Sequence, residues 1–576
     1  MQSERELKEQ LRNMDHKSYP LYKSLKGAYR FPKFVLHIDH VQGDPFAAPS
    51  DVSVTVDLKK ADFPAYALKN TLTKDTLADV ILREFSKQIN QFTFKAKGSG
   101  KSGLLSVSHP GQEVLKRTAA QINDKEIVIR FSVGFPANGR TINAKELDKI
   151  FFEYLPVCVE KALYYKNLDA KCVEEAIALA EDQQAIRAQL KEKKLVAFIA
   201  NGSVLPRESG ISSRPMKHAK AFISPESLQV SMELPHKGTI QGMGIKQGIT
   251  LIVGGGYHGK STLLNALELG IYNHIAGDGR EYVIADDTAL KLRAEDGRCI
   301  KNVDISMFIN DLPNGMDTHD FSTLDASGST SQAAGVIEGM EAGSHLFLLD
   351  EDTSATNFMV RDAFMQRVVS MDHEPITPFL ARARDLYGKA GISSILVAGS
   401  SGAFFHIADT VIQMDQYVPL DITKKAKDLC KEFPISEEKP RPFVLPQSQR
   451  IMEKDKNGAT KRRDYRSGAI KKDAPERLKV KTMGVEGFSI GKQNVNLHAL
   501  EQLVDSEQTA ALGQLLKYAV ENLIDGKSTI AEIADILEEK LEQEGMQFTV
   551  GRGTLCGGYA IPRKQEIYAC FNRYRV

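Results

Sequence analysis

One stretch near the middle of the chain limits its fold more than any other: an apolar run, a glycine-rich turn and a helix start follow one another directly. Residues 249–253 have the apolar composition of a buried strand. In the turn that follows, Gly254 and Gly259 stand five positions apart, and Lys260 and Ser261 come next. This G-x-x-x-x-G-K-S pattern is a P-loop, which needs a strand before it and a helix after it. The sequence therefore predicts an α/β domain built around this loop.

The residue types of the loop suit a phosphate group. Glycines allow backbone N–H groups to close around phosphate oxygens, and the N-terminus of the following helix adds partial positive charge. Lys260 is expected to reach the β- and γ-phosphates of ATP, and the Ser261 hydroxyl is expected to ligate Mg²⁺. The nucleotide contacts predicted for the loop are Gly254, Gly255, Gly256, Tyr257, His258, Gly259, Lys260, Ser261 and Thr262.

Two other G-K-S sequences in the chain lack the first glycine of the pattern. Lys95 stands in its place before residues 100–102, and Glu521 stands in its place before residues 526–528. Neither stretch is therefore predicted to bind a nucleotide.

A second motif follows ninety positions after Lys260, where four apolar residues end in Asp350 and Glu351. A buried strand that ends in an aspartate can support a magnesium ion, and the next glutamate can polarise an attacking water. The sequence continues as Asp-Thr-Ser-Ala-Thr-Asn over residues 352–357. The stretch Ser-Gly-Ser-Thr-Ser-Gln, residues 327–332, lies about twenty residues before this motif.

These motifs carry a resemblance to a known family. Residues 349–357 resemble the L-D-E-P-T-S-A-L-D run of ATP-binding-cassette ATPases, which covers the Walker B strand and the D-loop, and residues 327–332 resemble their L-S-G-G-Q signature. The wider stretch 254–362 resembles the predicted ATPases of the ABC class. That family is soluble, and some of its members are linked to mitochondrial RNA editing.

The resemblance implies a role for each motif. Lys260 and Ser261 bind phosphate and Mg²⁺, Asp350 supports the metal, and Glu351 is the general base. The implied contacts with the γ-phosphate of a nucleotide held by a second subunit are Ser327, Gly328 and Ser329, and Gln332 completes the set of nucleotide-binding residues. The resemblance thus implies a homodimer that encloses ATP.

The chain departs from the family pattern at three places. Thr330 and Ser331 separate the signature from Gln332, and residues 304–311 offer Asn310 and Asp311 where a Q-loop glutamine is expected. Residues 399–400, Gly-Ser, occupy the position of the switch histidine, and the nearest histidine comes six residues later on a predicted helix. These departures bear on the rate and coupling of hydrolysis rather than on nucleotide binding.

Length and composition limit the remaining possibilities. A chain of 576 residues is too long for one core, and we predict an α+β N-terminal domain at 1–205, an ABC-type P-loop ATPase domain at 206–425 and a smaller α+β C-terminal domain at 426–576. No apolar stretch is long enough for a membrane span, so no membrane partner is expected. The six cysteines form no C-x-x-C pair, which favours a reducing, cytoplasmic location.

Outside the central motifs the sequence predicts elements rather than sites. Strands are predicted at 34–40, 52–58, 91–95, 126–135, 195–200, 394–398, 559–561 and 567–570, and helices at 4–14, 77–90, 144–165, 173–193, 498–523 and 530–543.

Three weaker hypotheses concern isolated polar clusters. His37, Asp39, His40 and Asp44 invite a metal, although hydrogen-bonded residues at a strand end explain them better. Two Asp-Gly-Arg triplets, 278–280 and 296–298, are interpreted as tight turns, with phosphate or intersubunit contacts of Arg280 and Arg298 as the alternative. The lysine-bearing loop 95–101 is interpreted as a solvated hairpin tip, with phosphate contact as the alternative.

A basic segment, residues 454–481, has eleven Lys or Arg against four Asp or Glu, although the whole chain has a net charge of only +1. It is interpreted either as a solvated linker or as a site for single-stranded nucleic acid such as RNA, with Tyr465 as a stacking ring. The leading hypothesis is a soluble ABC-class ATPase that dimerises around ATP, moves its flanking domains and acts on nucleic acid. The alternatives are an ATP-gated protein-assembly switch and a small-molecule kinase.

Overall fold

The structure, a computed structural model, divides into two compact units. Unit 1 comprises residues 1–182, 273–276 and 543–561, and unit 2 comprises 183–272, 277–542 and 562–576. Within these units the structure describes residues 1–361, 374–433, 441–446, 450–453, 462–463, 470–471, 478–551 and 553–575.

Unit 1 is built on a seven-stranded mixed sheet. Its longest pair joins Ser50–Asp57 to Glu126–Val133 in antiparallel register. Alternate residues of Glu126–Val133 are buried, which explains why an alternating sequence forms a strand with one face in the core. The strands of unit 1 are Gln2–Ser3, Gly27–Arg30, Val35–His40, Ser50–Asp57, Leu105–Ser106, Glu113–Val114, Ala120–Ile122, Glu126–Val133, Ala137–Asn138, Thr141–Ile142 and Asn273–His274.

The helices of unit 1 bury their apolar stripes in the same core as the sheet. Glu4–Met14 starts with a capping box at Ser3 and buries only Leu7, Leu11 and Met14, the stripe that the sequence predicts. The other helices are Leu58–Ala61, Thr71–Asn90, Ala144–Lys149, Leu155–Leu163 and Gln547–Val550, with a π-turn at Ile150–Tyr154, while Ala170–Glu192 continues into unit 2.

Unit 2 contains a six-stranded sheet that organises the site. We call Ile249–Val253 the P-loop strand, Leu346–Asp350 the acidic strand and Ser393–Val397 the middle strand. The order is Leu290–Leu292, acidic strand, middle strand, P-loop strand, Thr410–Asp415 and Val418–Asp421, and all neighbours are parallel except the last pair. The carboxyl ends of the parallel strands therefore meet at one edge.

Antiparallel sheets and helices complete unit 2. A four-stranded sheet contains Leu195–Ala200, Gln229–Leu234, Gly238–Lys246 and Val283–Ala285, and the shorter strands are Ile300–Val303, Phe321–Thr323, Arg462–Arg463, Ile470–Lys471, Val480–Thr482, Gly487–Ile490 and Gln493–Asn496. The helices are Lys260–Leu269, Gly328–Glu341, Thr356–Met359, Phe379–Ala390, Thr423–Glu432, Ser506–Asn522, Ile530–Glu544 and Lys564–Asn572.

Most of the predicted elements are present, but four stretches differ. Residues 91–95 follow the helix Thr71–Asn90 as turns, where Phe94 has a left-handed φ of 57°, so the predicted strand is wrong. Residues 567–570 lie inside the helix Lys564–Asn572 and not in a strand. The predicted strand is wrong because a short buried apolar run fits a strand and a helix equally well.

The other two differences concern the extent of an element. The helix predicted at 498–523 begins only at Ser506, where Asp505 caps it. At 559–561 the structure has an isolated bridge at Ala560 instead of a strand.

Several predictions concern composition. The six cysteines are free thiols in the structure. In the part of the chain that the structure describes, no helix combines the length and apolar character of a bilayer span. Apart from 462–463, 470–471 and 478–481, the basic segment lies outside the described residues. The predicted domain boundaries at 205 and 425 stay predictions.

Candidate functional site

The P-loop connects the P-loop strand to a ten-residue helix, Lys260–Leu269, which we call the P-loop helix. Two of its glycines are required by both backbone and space. Gly254 has a φ of 147°, and a Cβ there would lie 2.4 Å from the Met414 carbonyl oxygen. Gly259 has a φ of 99° and precedes the helix directly. An L side chain at either position would strain the loop or collide with its neighbour.

Lys260 folds back over its own loop. Its Nζ donates hydrogen bonds to the carbonyl oxygens of Gly254, at 2.7 Å, and Gly255, at 3.0 Å. The ammonium group is thus held above the glycine turn, where a phosphate oxygen can replace the carbonyl acceptors. Ser261 beside it is exposed, and Thr262 is half-buried. A cation, two hydroxyl side chains and the N–H groups of a helix start thus lie within one short stretch, which suits an anion.

The middle of the loop is open on its outer side. Gly256 has no atom within 4 Å of an added Cβ, and Tyr257 is 98% exposed with a φ of 63°. His258 points back to the protein, where its Nδ1 accepts a hydrogen bond from the Gln416 N–H at 3.0 Å.

The acidic strand delivers two carboxylates to the same edge of the sheet. All five of its residues are buried, and Asp350 at its end retains 6% exposure. Burial raises the pKa of the Asp350 carboxyl, although a hydrogen bond from the Asp352 N–H opposes this. A buried carboxylate and the Ser261 hydroxyl are oxygen ligands of the kind that Mg²⁺ prefers, so these residue types fit the metal.

Glu351 is held by the end of the neighbouring middle strand. Its Oε2 accepts hydrogen bonds from the N–H groups of Gly399, at 2.7 Å, and Ser400, at 3.0 Å, and its Oε1 accepts one from Ser400 Oγ at 2.6 Å. Burial raises the pKa of the Glu351 carboxyl, but the hydrogen bonds from Ser400 and Gly399 outweigh it and leave the pKa below its ordinary value. The carboxylate is therefore ionised and fixed in orientation.

The signature stretch forms the start of the helix Gly328–Glu341, which we call the signature helix. Ser327 caps it and is exposed, and its hydroxyl contacts those of Ser329, at 3.3 Å, and Thr330, at 3.0 Å. Gly328 leaves little room for a side chain, since a Cβ would lie 3.2 Å from Ala294 Cβ. A group of hydroxyls at a helix N-terminus is an arrangement that can receive an anion.

Gln332 has a different environment from the residues before it. It is completely buried, its Nε2 donates to Ser354 Oγ at 2.8 Å, and its Oε1 accepts from the Ala355 N–H at 2.9 Å. The side chain therefore joins the signature helix to the D-loop. Direct contact between Gln332 and a nucleotide stays a prediction.

Three family models match consecutive parts of this chain. Residues 4–166 match the N-terminal domain of ATPases of the ABC class, residues 169–450 match the P-loop domain of the ABC ATPase model, and residues 479–576 match the MRB1590 C-terminal domain. The chain belongs to the ATPases of the ABC class. The predicted family and the predicted fold class, a P-loop core with N- and C-terminal α+β domains, are confirmed.

A curated relative of this ABC-class ATPase is the uncharacterized protein MJ1628 of Methanocaldococcus jannaschii. It is 31% identical over 265 residues, which are 44% of this chain. The match spans 58% of the length of that relative.

Solved structures of ATP-binding cassettes are also similar to this ABC-class ATPase. One is cbiO1 from Clostridium perfringens, part of the ABC transporter complex cbiONQ, with 13% identity and a TM-score of 0.25 over 42% of this chain and 93% of that chain. Another is the ADP conformation of MJ1267, an ATP-binding cassette of an ABC transporter, with 9% identity and a TM-score of 0.25 over 42% of this chain and 96% of that chain.

The departures from the family pattern have clear structural settings in this ABC-class ATPase. The Asn310 side chain donates to the Ser306 carbonyl at 2.6 Å, and the Asp311 carboxylate accepts from Arg441 at 2.6 Å. His406 lies on a short 3-10 helix, as predicted, whereas Ser400 occupies the position next to Glu351.

Two of the weaker hypotheses are not supported by the geometry. The Arg280 side chain is buried and donates to the Leu205 carbonyl, and Arg298 is buried in an ion pair with Glu338, so the proposed phosphate contacts of these arginines are wrong. The described residues contain no group of His, Cys, Asp or Glu that could hold a metal, and Asp39 accepts a hydrogen bond from Ser53.

No sequence pattern indicates one buried residue that reaches the P-loop helix, Gln502. Gln502 donates through Nε2 to the carbonyl oxygens of Glu268 and Ala289, both at 3.1 Å, and its Oε1 accepts from the Lys291 N–H at 3.0 Å. It is 3% exposed. The amide thus satisfies three backbone groups, one of them at the end of the P-loop helix.

Proposed function

We propose that this ABC-class ATPase binds ATP with Mg²⁺ at an interface between two copies of the chain, hydrolyses it there and uses the cycle to move its other domains. The observation that carries the proposal is the row of groups at the carboxyl edge of the six-stranded sheet. The P-loop, Ser400 and Glu351 follow the ends of three adjacent parallel strands, with Ser400 in the middle. This order brings a phosphate-binding loop and a held carboxylate to one place.

Each residue has a distinct task in this proposal. Lys260 and the N–H groups of the P-loop hold the β- and γ-phosphates, and Glu351 accepts a proton from the attacking water. Ser261 and Asp350 would hold Mg²⁺, which neutralises phosphate charge when bound. Gly399 and Ser400 keep the Glu351 carboxylate ionised and pointed in one direction, which a base needs before substrate arrives.

In this proposal the second copy of the chain contributes the N-terminus of its signature helix to the ATP site. Its hydroxyl cluster, Ser327, Ser329 and Thr330, is at least partly open to solvent, and the hydroxyls bond mainly to one another. Such donors at a helix N-terminus can turn to the γ-phosphate of a nucleotide bound by the partner. Gln332 would then link this contact to the D-loop of its own chain through its hydrogen bonds with Ser354 and Ala355.

Movement beyond the core is supported by the C-terminal segment, residues 478–542 and 562–576. The P-loop helix ends against Gln502, which bonds the Glu268 carbonyl. The signature helix ends against Gln565, whose Nε2 donates to the Ala342 carbonyl at 3.4 Å. Both helices whose N-termini are assigned to ATP thus contact this segment at their other ends, so a shift of either helix is passed to it.

Nucleic acid is the proposed ligand of the moving domains. The support is the charge of the basic segment, which has a local net charge of +7. The competing function, an ATP-gated switch for protein assembly, predicts no effect of RNA or single-stranded DNA on the rate of ATP hydrolysis.

A complementation experiment tests the two-copy site. Lys260→Ala removes the phosphate lysine, and Ser329→Glu places a negative charge where the partner's γ-phosphate is proposed to bind. Each variant alone should be inactive. A mixed dimer has one intact site, made of the P-loop from the Ser329→Glu chain and the signature from the Lys260→Ala chain, so the mixture should regain ATPase activity.

The control for this experiment is a chain that carries both substitutions. Mixed with the Ser329→Glu chain, it can form no intact site and should restore nothing. If the first mixture is no more active than its separate components, the site does not combine residues of two copies.

A further inference from the structure

One carboxyl group of the P-loop helix has no task in the site described above. Glu268 lies in the last turn of this helix and is only 1% exposed. Its Oε1 is buried and accepts no hydrogen bond from the part of the chain that the structure describes. An ionised carboxylate in this position would lose its hydration without gaining a donor, which favours the neutral acid. The geometry therefore indicates that Glu268 carries a proton.

Four charged side chains act on this carboxyl from the neighbouring elements of unit 2: Lys291, Arg280, Arg293 and Glu501. Burial is nevertheless the largest influence, and it raises the pKa of the Glu268 carboxyl to about 7. Among the four charges, the Lys291 ammonium is the strongest and lowers that pKa. Glu268 therefore gains or loses its proton near neutral pH, where an exposed glutamate is always ionised.

The two arginines are held by other partners. Arg280 donates through Nε to the Leu205 carbonyl oxygen at 2.8 Å and through Nη1 to Asn265 Oδ1 at 3.1 Å. Arg293 donates through Nη1 to Glu501 Oε1 at 2.6 Å. Neither guanidinium can turn to Glu268 without breaking these hydrogen bonds.

Lys291 is held less firmly. Its backbone is fixed, because its N–H donates to Gln502 Oε1 at 3.0 Å. Its side chain is only 5% exposed, yet Nζ lies 3.6 Å from Glu501 Oε2, which is beyond hydrogen-bond distance. The ammonium sits on a flexible four-carbon stem, so it can move between two nearby carboxylates while the backbone stays in place.

We propose that Glu268 is a proton-operated switch that determines which carboxylate pairs with Lys291. While Glu268 is neutral, Lys291 pairs with Glu501 of the C-terminal segment, as in this structure. When Glu268 releases its proton to solvent, the new carboxylate needs a donor and attracts the Lys291 ammonium. Glu501 then keeps Arg293 as its partner.

The switch changes how the C-terminal segment is held to the core. Below about pH 7 the segment is bonded to this region through both Gln502 and the Lys291–Glu501 pair, and above it the ion pair is lost. A looser segment would follow the P-loop helix less closely. This consequence for the ATP cycle rests on the proposed function, whereas the switch itself requires no nucleotide.

The first test detects the proton on Glu268 in the nucleotide-free full chain. Infrared spectra of the wild type and Glu268→Gln are subtracted from each other. The difference should contain the band of a protonated carboxyl at about pH 6 and should lose it at about pH 8.5. Glu521→Gln replaces an exposed glutamate of unit 2 and should give no such band at either pH.

The second test measures the Lys291–Glu501 pair with a double-mutant cycle of Lys291→Met and Glu501→Gln. In urea unfolding of the full chain, the effects of the two substitutions on the unfolding constant should be coupled by about fivefold at about pH 6 and independent at about pH 8.5. The same cycle in the Glu268→Gln background is the control. Lys291 has no competing carboxylate there, so the coupling should persist at both pH values.

Three results would overturn the proposal. They are a difference spectrum without the carboxyl band at the lower pH, a band that remains at the higher pH, and a coupling in the wild type that is the same at both. Neither test uses a nucleotide. A chain that passes both tests but binds no ATP would therefore refute the proposed function and leave the switch intact.

Discussion

Ser400 holds the Glu351 carboxylate through two of its own groups: the backbone N–H donates to Oε2 at 3.0 Å and the hydroxyl donates to Oε1 at 2.6 Å. The two residues are 49 positions apart in the chain but follow adjacent parallel strands. The position next to the proposed base is thus occupied by a small neutral donor, which can stabilise the carboxylate without adding a titrating group.

Removal of the Ser400 hydroxyl should change the pH dependence of hydrolysis. The hydrogen bonds lower the pKa of the Glu351 carboxyl, so Ser400→Ala should raise that pKa. The base is then protonated at a higher pH, and the acid limb of kcat against pH should move upwards. The rate on the plateau should fall about fivefold, the effect of one lost hydrogen bond. Steady-state ATPase assays across pH measure both effects.

Ser401→Ala is the matched control, because the Ser401 hydroxyl accepts from the Ala403 N–H and is not bonded to Glu351. Ser400→Thr keeps the donor and should restore the profile. If the acid limb of kcat against pH is the same in Ser400→Ala and in the wild type, Glu351 does not set the pH dependence of hydrolysis.

Lys260→Ala should abolish ATP binding, because it removes the one ammonium that the P-loop holds above its glycine turn. Titration with a labelled nucleotide measures the affinity. Lys527→Ala, in the G-K-S sequence that lacks the first glycine, is the control and should bind like the wild type. If Lys260→Ala binds the nucleotide as tightly as the wild type, the P-loop is not the nucleotide-binding site.

Glu351→Gln should keep ATP affinity and lose turnover by at least about 100-fold, since an amide cannot accept the proton of the attacking water. With ATP and Mg²⁺ the variant should accumulate as a dimer in size-exclusion chromatography with light scattering. The same variant with ADP is the control and should remain monomeric. If Glu351→Gln is monomeric with ATP as well as with ADP, the result contradicts a site shared by two copies of the chain.

Gln502→Leu should lower the stability of unit 2 by about 2–4 kcal/mol, because three buried backbone groups lose their partner. Urea unfolding of the full chain measures the shift in the midpoint. Gln514→Leu replaces a half-buried glutamine of the next helix and should change the free energy of unfolding by less than about 0.5 kcal/mol. Equal stability of the two variants would show that the Gln502 bonds contribute little.

The basic segment should bind single-stranded nucleic acid in a salt-dependent manner. Engagement of about five phosphates predicts a slope of about −3.5 for log affinity against log salt concentration. Four cations are replaced with alanine: Lys461, Arg462, Arg463 and Arg466. This fourfold variant should bind nucleic acid more weakly, with a flatter slope, and should retain ATP hydrolysis. Replacement of Lys95, Lys97 and Lys101 is the control. Equal binding by wild type and the fourfold variant would exclude this segment as the site.

The fold of the core could be predicted because its motifs are local. The P-loop requires glycines at fixed positions after a strand, and the φ angles of Gly254 and Gly259 show why. Asp350 and Glu351 end an apolar strand that a short stretch of sequence reveals. Short apolar runs were less decisive: residues 567–570 suit a strand or a helix equally, and only the cap and packing of Lys564–Asn572 made them helical.

The sequence by itself determined the chemistry of the loop, the acidic pair and the signature, because backbone conformation and residue type are set by neighbours in the chain. Tertiary structure decided which distant groups meet them. Strand order placed Ser400 on Glu351, and burial placed Gln502 on the P-loop helix from 234 positions away. These contacts leave no local pattern, since they arise from the packing of elements rather than from the propensity of any one of them.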